Sequence, residues 1–321
     1  MNAGNAKFKS SCSSNAAKFY KALPLNPHFG IEAHDIDLSD PCLLHSDEFI
    51  SQLKQDLVRY RAILFRSQSL TGQQQVDISA SLGTIESTFY KHPKSPHPDI
   101  FRVSNDEAEG CTQVGRSGWH IDGTFQTRPF MYQTMYFPSA AEGGDTLFIP
   151  LKELYDSFSD EDKTYYNTLW MVTGRGREIL LHPLVCKHPF RNEETLLFHC
   201  GRPFVWGWCC DHGDINSCKN ENNGESYVLN GVDIHKMIDA SIIQDQLTQK
   251  IESKFHELGI RMKWQRGDFL ITDNLGLAHY ASEGTQRYRG DVGLRILHRT
   301  TIVGNDETVP SKFDGRKSFT A

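Results

Sequence analysis

The chain has 321 residues and a formal charge of -6, with 34 basic and 40 acidic residues interspersed along it. That length supports one large domain with a sizeable core, or two small ones. No basic stripe marks a nucleic-acid surface and no apolar run approaches the length of a membrane span, so neither nucleic acid nor membrane is an expected partner.

Residues 1–17 are rich in Ser, Asn, Ala and Lys and hold no acidic residue. They read as a disordered extension, with a mitochondrial leader as the sharper alternative. The remainder, 18–321, reads as one domain. Phe29–Ala33 is a predicted strand. Ser46 is a candidate N-cap for a helix over Asp47–Tyr60, in which Phe49, Ile50, Leu53, Leu57 and Tyr60 recur at helical spacing. Ala62–Phe65 is a short buried strand, and Gln73–Leu82 a second helix ending at Gly83. Asp99–Val103, Tyr132–Phe137 and Asp145–Leu151 follow as strands. Leu151–Leu169 is mostly helical and restarts near Ser159, with Asp160, Glu161 and Asp162 in the first turn, where acids favour a helix N-terminus. Strands are expected at Leu184–His188 and Thr195–Cys200. A polar surface loop is expected over 209–226, within an insertion near 209–235, and it could serve as a lid. Ser241–Leu258 is a helix with Ile242, Leu247, Ile251, Phe255 and Leu258 on one side. Met262–Trp264, Asp268–Asp273 and Leu294–Val303 close the chain as strands. Many short strands with a few helices imply a mainly β protein with helical additions, a double-sheet β-barrel. The eight cysteines are scattered, with no secretory leader ahead of them, and read as reduced thiols in the cytoplasm. Cys209, Cys210, His212 and Cys218 lack a Cys-x-x-Cys pair, so a polar loop is favoured there over zinc.

One stretch carries chemistry: Gly118-Trp119-His120-Ile121-Asp122-Gly123. On an extended backbone, His120 and Asp122 point to one face, and Trp119 and Ile121 to the other. A helix would set the pair about 200° apart, useless for sharing an ion. His279, directly after a predicted strand, is the candidate third ligand, because a barrel gathers distant strands at its rim. Arg295 and Arg299 share one strand face and could act as paired anion clamps, since guanidinium recognises carboxylates bidentately. Thr146 could add a hydroxyl to the same anion. Two imidazoles, one carboxylate and an anion clamp match the facial triad of non-haem Fe(II) oxygenases. A zinc or manganese hydrolase or isomerase on the same barrel is the alternative, and a non-catalytic binding protein a third reading. The Thr146–Arg295 pair argues against the hydrolase, which has no need of a distal anion clamp.

Seven pieces in order resemble the taurine dioxygenase (TauD/TfdA) family of α-ketoglutarate-dependent dioxygenases. They are Pro27–Glu32, Ile63–Thr71, Trp119–Phe125, Gly143–Phe148, Leu181–Val185, Asp273–Tyr280 and His298–Ile302. The resemblance implies a double-stranded β-helix, or jelly roll, of the clavaminate synthase-like and TauD-like kind. It implies Fe(II) held by His120, Asp122 and His279, with α-ketoglutarate and O₂ as co-substrates. It further implies that the distal carboxylate of α-ketoglutarate meets Arg295 and Thr146, and that Arg299 faces the anionic group of the prime substrate. Oxidative decarboxylation to succinate and CO₂ would accompany hydroxylation of a C–H bond. The stretch Tyr280–Leu294 is a few residues longer than the family's usual one; Arg295 is taken over Arg289 because Arg295–Arg299 matches the family in sequence. Gly83–Lys91 lacks the histidine of taurine-using relatives, and Arg116 stands where a smaller polar residue is expected, so taurine itself is not the expected substrate. The expected substrate is a small anion: a sulfonate, sulfate ester, phosphonate or carboxylate. Arg299, Arg116 and Lys91 would attract it, and Phe89, Tyr90, Phe125, Phe204 and Trp206 would wall its pocket. Relatives often form homodimers or homotetramers, which sets the expectation for assembly.

Overall fold

The structure is a computed structural model that describes residues 19–86, 91–115, 117–175, 178–201, 204–211, 228–229 and 231–321. The expected tail over 1–17, Phe89, Tyr90, Arg116 and positions 212–226 of the expected lid lie outside the described residues.

Two facing sheets form a jelly roll. The larger has seven strands in the spatial order Lys21–Pro24, Ile31–His34, Ala62–Phe65, Asp268–Asp273, Phe130–Ser139, Ile296–Val303 and Phe101–Ser104. The smaller joins Ile260–Met262, Thr146–Pro150 and Leu277–Ala281. Single bridges extend it past Leu277–Ala281, first to His120 and then to His199. Strand alternation sorts side chains into layers. Phe137, Leu270 and Leu297 from the larger sheet meet Phe148 and Leu277 from the smaller one in the core between them. The intervening residues Phe269 and Ile271 face the other way. They pack under the helices Asp47–Tyr60 and Gly72–Leu82 through Phe49, Leu53, Leu57, Ile78 and Leu82. On the far side of the smaller sheet, Trp119, Ile121, Ile149, Phe198 and Ala278 pack against Leu154 and against Ile243, Leu247 and Ile251 of the helix Ala240–Leu258.

The helix ends follow from local chemistry. Ser46 Oγ accepts from the Phe49 amide at 3.2 Å, and Thr71 with Gln74 forms a reciprocal capping box. Ser159 caps the helix Asp160–Thr168. On Ala240–Leu258 the expected face holds at Leu247, Ile251 and Leu258, which are buried, and at Phe255, which packs against the core; only at its start does Ile243 take the sealed position, with Ile242 47 % exposed.

A third, six-stranded sheet was not expected from the sequence. It orders Val228–Leu229, Val232–Asp239, Gly207–Asp211, Leu169–Arg175, Glu178–Pro183 and Phe319–Thr320. Its strand Gly207–Asp211 buries Cys209 and Cys210, so the polar loop begins after them rather than at 209. Cys210 is disulfide-bonded, a correction to the expectation of reduced thiols throughout. Asp211 is engaged by Trp170 Nε1, Lys312 and Arg316, which gives this residue a structural role, while His212 and Cys218 lie outside the described residues. Among the described residues, no helix is long and apolar enough to cross a membrane.

Candidate active site

The backbone amide of His120 donates to the His279 carbonyl at 3.1 Å, and that of His279 donates to the His120 carbonyl at 2.9 Å. On its other side, the segment around His120 pairs with the segment around His199, through Ile121 N to Phe198 O at 3.2 Å and Cys200 N to Trp119 O at 2.8 Å. Residues paired across strands present side chains on one face. The three imidazoles therefore form a row between the two sheets, while Trp119, Ile121, Phe198 and Ala278 fill the core behind them. Ring centroids are 4.3 Å apart for His120 and His279, and 4.6 Å for the nearly parallel rings of His120 and His199.

Asp122 completes the group. One ligand atom each from His120, Asp122 and His279 lies within 4.8 Å of the others. His120 Nε2 is 3.9 Å from Asp122 Oδ1, and His279 Nε2 is 3.5 Å from Asp122 Oδ2. His120 Nδ1 meets the Gly118 carbonyl at 2.7 Å. A carbonyl only accepts, so the ring proton sits on Nδ1 and the Nε2 lone pair faces the carboxylate. A lone pair aimed at a carboxylate is an arrangement that a cation resolves, and two imidazoles with one carboxylate suit a divalent transition metal. Electrostatics agree. Burial lowers the pKa of His120, and burial reinforced by His120 pushes His279 down to about 3, so both rings are neutral. Burial alone would raise Asp122, but the Arg299 guanidinium outweighs it and holds the carboxyl well below the usual range.

The sharp turn after Asp122 is set by Gly123. Its φ is +85°, and a Cβ there would meet the Phe130 amide at 2.7 Å. Asn274 then fixes the backbone of Asp122 from both sides. Its Oδ1 accepts from the Asp122 amide and its Nδ2 donates to the Asp122 carbonyl, both at 2.9 Å, while Nδ2 also reaches the Phe130 carbonyl at 2.6 Å. His182, sealed in the core, holds the Thr124 carbonyl at 3.0 Å.

Arg295 is 3 % exposed, and among the described residues no carboxylate is hydrogen-bonded to it. Its Nε donates to the Gly144 carbonyl at 3.2 Å, and its guanidinium lies 5.1 Å over the Phe137 ring. Burial lowers its pKa to about 10, so it stays charged at neutral pH. Gly144 is what admits it: a Cβ there would stand 2.9 Å from Arg295 Cδ. Thr146 lies on the strand beside His279, with Phe148 opposite His279 in register and Thr146 two residues further along the same face. Its Oγ accepts from Trp264 Nε1 at 3.0 Å, which leaves the hydroxyl proton free to donate. Arg289, the rejected alternative, forms an ion pair with Asp106 at an exposed position.

Arg299 NH1 donates to Asp122 Oδ2 at 2.9 Å, and its guanidinium rests 5.2 Å over Phe101. Its Nε is buried without a partner. Phe204 stacks on the outer face of His199 at 4.4 Å. Phe125 packs edge-on against Phe130. Lys91 is exposed and donates to the Pro98 carbonyl. The structure thus gathers His120, Asp122, His279, Arg299 and Phe204, and sets Arg295 and Thr146 against the His279 side.

Sequence reasoning missed Asn274 and His199. Asn274 stands inside the resembling piece Asp273–Tyr280 but carried no role. His199 ends an apolar run in an expected strand, and its pairing with His120, 79 residues away, is invisible to local pattern.

Comparison with known proteins places the chain. Residues 21–301 match the family model described as taurine catabolism dioxygenase TauD, TfdA family. An α-ketoglutarate-dependent sulfate ester dioxygenase from Pseudomonas putida is 25% identical over 327 residues, covering 92% of this chain and 93% of that protein. An α-ketoglutarate-dependent sulfonate dioxygenase from Saccharomyces cerevisiae is 22% identical, covering 81% of this chain and 62% of that one. The crystal structure of a taurine dioxygenase from Burkholderia xenovorans superposes with a TM-score of 0.69 at 24% identity, covering 94% of each chain, and shares the fold. The family match spans most of the chain, from the first strand of the larger sheet to near the end of the strand that carries Arg299, and the chain belongs to the TauD/TfdA family of dioxygenases.

Proposed function

We propose that His120, Asp122 and His279 hold the Fe(II) of this α-ketoglutarate-dependent dioxygenase. In this reading Arg295 and Thr146 bind the distal carboxylate of α-ketoglutarate, and the enzyme hydroxylates a small anionic substrate. When bound, Fe(II) with α-ketoglutarate and O₂ supplies the oxidising power for attack on a C–H bond, with release of succinate and CO₂. The protein's own part is orientation and exclusion of water. Neutral imidazoles and an ionised Asp122 present three ligands without a proton to displace. Gly123 and Asn274 hold Asp122 in place. Arg299 offsets the negative charge of Asp122, and its unpartnered Nε provides a further donor for an oxyanion.

The observation that carries the co-substrate assignment is Arg295. A buried guanidinium without a hydrogen-bonded carboxylate is costly unless an anion joins it, and here it packs on Gly144, two residues before Thr146, whose strand pairs with that of His279. The sulfate ester and sulfonate activities of the relatives support an anionic prime substrate of that type. The test is succinate release from α-ketoglutarate with Fe(II) and O₂ in the presence of hexyl sulfate, ethanesulfonate or phenoxyacetate. At least one of them should raise succinate release by wild type, and Asp122→Ala should abolish it. An active Asp122→Ala variant would refute the ligand assignment.

A further inference from the structure

His199 is the third imidazole of the row, and neither the facial triad nor the α-ketoglutarate clamp uses it. Its ring stacks on His120 at 4.6 Å and 20°, and Phe204 covers its outer face at 4.4 Å and 30°. The row His279, His120, His199 and Phe204, tilted at its first contact and stacked at the next two, therefore runs from the interior to the surface, where Phe204 is 41 % exposed. The backbone amide of Gly201 donates to His199 Nδ1 at 2.8 Å. A backbone N–H cannot accept, so Nδ1 carries the lone pair and the neutral ring carries its proton on Nε2. No group among the described residues accepts from that Nε2–H, yet it is not among the unpartnered atoms closed off from solvent. An N–H donor fixed in direction and reachable from solvent awaits an acceptor.

Strand order says which acceptor. Thr146 and the Arg295 clamp lie beyond His279, and His199 lies beyond His120, so the two flank the ligand set on opposite sides. The co-substrate's distal carboxylate belongs to the clamp side. Resting on the function proposed above, we infer that His199 is a specificity-determining residue whose Nε2–H hydrogen-bonds the oxyanion group of the prime substrate. Stacking between His120 and Phe204 keeps that donor in place, and a neutral donor complements the charge supplied by Arg299.

The experiment separates the donor from the stack. Wild type, His199→Phe and His199→Gln are loaded with Mn(II) as a redox-inert ion. Affinities for Mn(II), for α-ketoglutarate and for hexyl sulfate, ethanesulfonate and phenoxyacetate are then measured by calorimetry. Phe keeps a ring between His120 and Phe204 and removes the donor; Gln restores an N–H donor without the ring. His199→Phe should bind Mn(II) and α-ketoglutarate like wild type but the tightest of the three anions about tenfold more weakly, the loss of one hydrogen bond to a charged group. His199→Gln should recover most of that loss. Anion binding by His199→Phe equal to wild type overturns the inference, as does a His199→Gln variant no better than His199→Phe. A parallel loss of Mn(II) in both variants also overturns it, because His199 would then act only through His120. A wild type that binds α-ketoglutarate but none of the three anions would instead contradict the anionic-substrate reading itself.

Discussion

Asp122 is placed by its neighbours more than by its own torsions. Asn274 satisfies both backbone groups of Asp122 and the Phe130 carbonyl with a single amide, so the turn that aims the carboxylate depends on one side chain. Replacing it with alanine strands three backbone groups, the Phe130 carbonyl buried and the two of Asp122 part-buried, and a buried group left unsatisfied costs about 1–3 kcal/mol. Asn274→Ala should therefore destabilise the fold by roughly 3 kcal/mol in urea unfolding. It should also weaken metal affinity by about tenfold or more, as loss of a partner that orients a ligand typically does. Unchanged metal affinity in a folded Asn274→Ala protein would show that Gly123 and the strand pairing suffice to aim Asp122. Arg295 depends on a neighbour in the same manner. Gly144 leaves it a path, and the buried guanidinium is cushioned by the Phe137 face and one carbonyl.

At the scale of elements, the site is a short ladder in which His279, His120 and His199 sit side by side, with Thr146 on the next strand. Much of this was legible in the sequence for local reasons. The helix over Asp47–Tyr60 has its expected bounds because Ser46 caps it and its apolar stripe has helical period. The shared face of His120 and Asp122 follows from strand alternation, and Trp119 and Ile121 fall into the core behind them as that alternation requires. The strand Asp268–Asp273 is sealed on both faces, and its centre, Phe269-Leu270-Ile271, reads as a short apolar run. What stayed illegible is non-local. Leu169–Arg175 and Glu178–Pro183 form a hairpin of the third sheet, yet Leu169 looked like the end of a helix. Gly207–Asp211 buries two cysteines that next to polar residues read as loop. His199 becomes a neighbour of His120 only through a bridge between segments far apart in the chain.

At the scale of the whole molecule, the fold is pinned by histidines that must stay neutral. Burial pushes His182 down to about 4, although its bond to the Thr124 carbonyl opposes the shift. Burial and the adjacent Arg102 push His298 down to about 3. In the unfolded chain both titrate near 6.5, so between that value and the folded values the unfolded state binds more protons. Their contribution to stability is complete above about pH 6.5 and is lost as pH falls through the range from there to the folded values. Thermal melting of metal-free protein should show Tm falling steadily from pH 7 to pH 4.5. His182→Gln should flatten part of that slope, and a Tm independent of pH in this range would contradict neutral burial.

The central claim is that His120, Asp122 and His279 form one metal site beside an α-ketoglutarate clamp. The most direct measurement is an anaerobic titration of α-ketoglutarate into metal-free protein supplied with Fe(II), followed by visible absorption. The expected result is a charge-transfer band from the chelate that saturates with α-ketoglutarate and is absent in His120→Ala. No band in wild type, or a band of full intensity in His120→Ala, would contradict it.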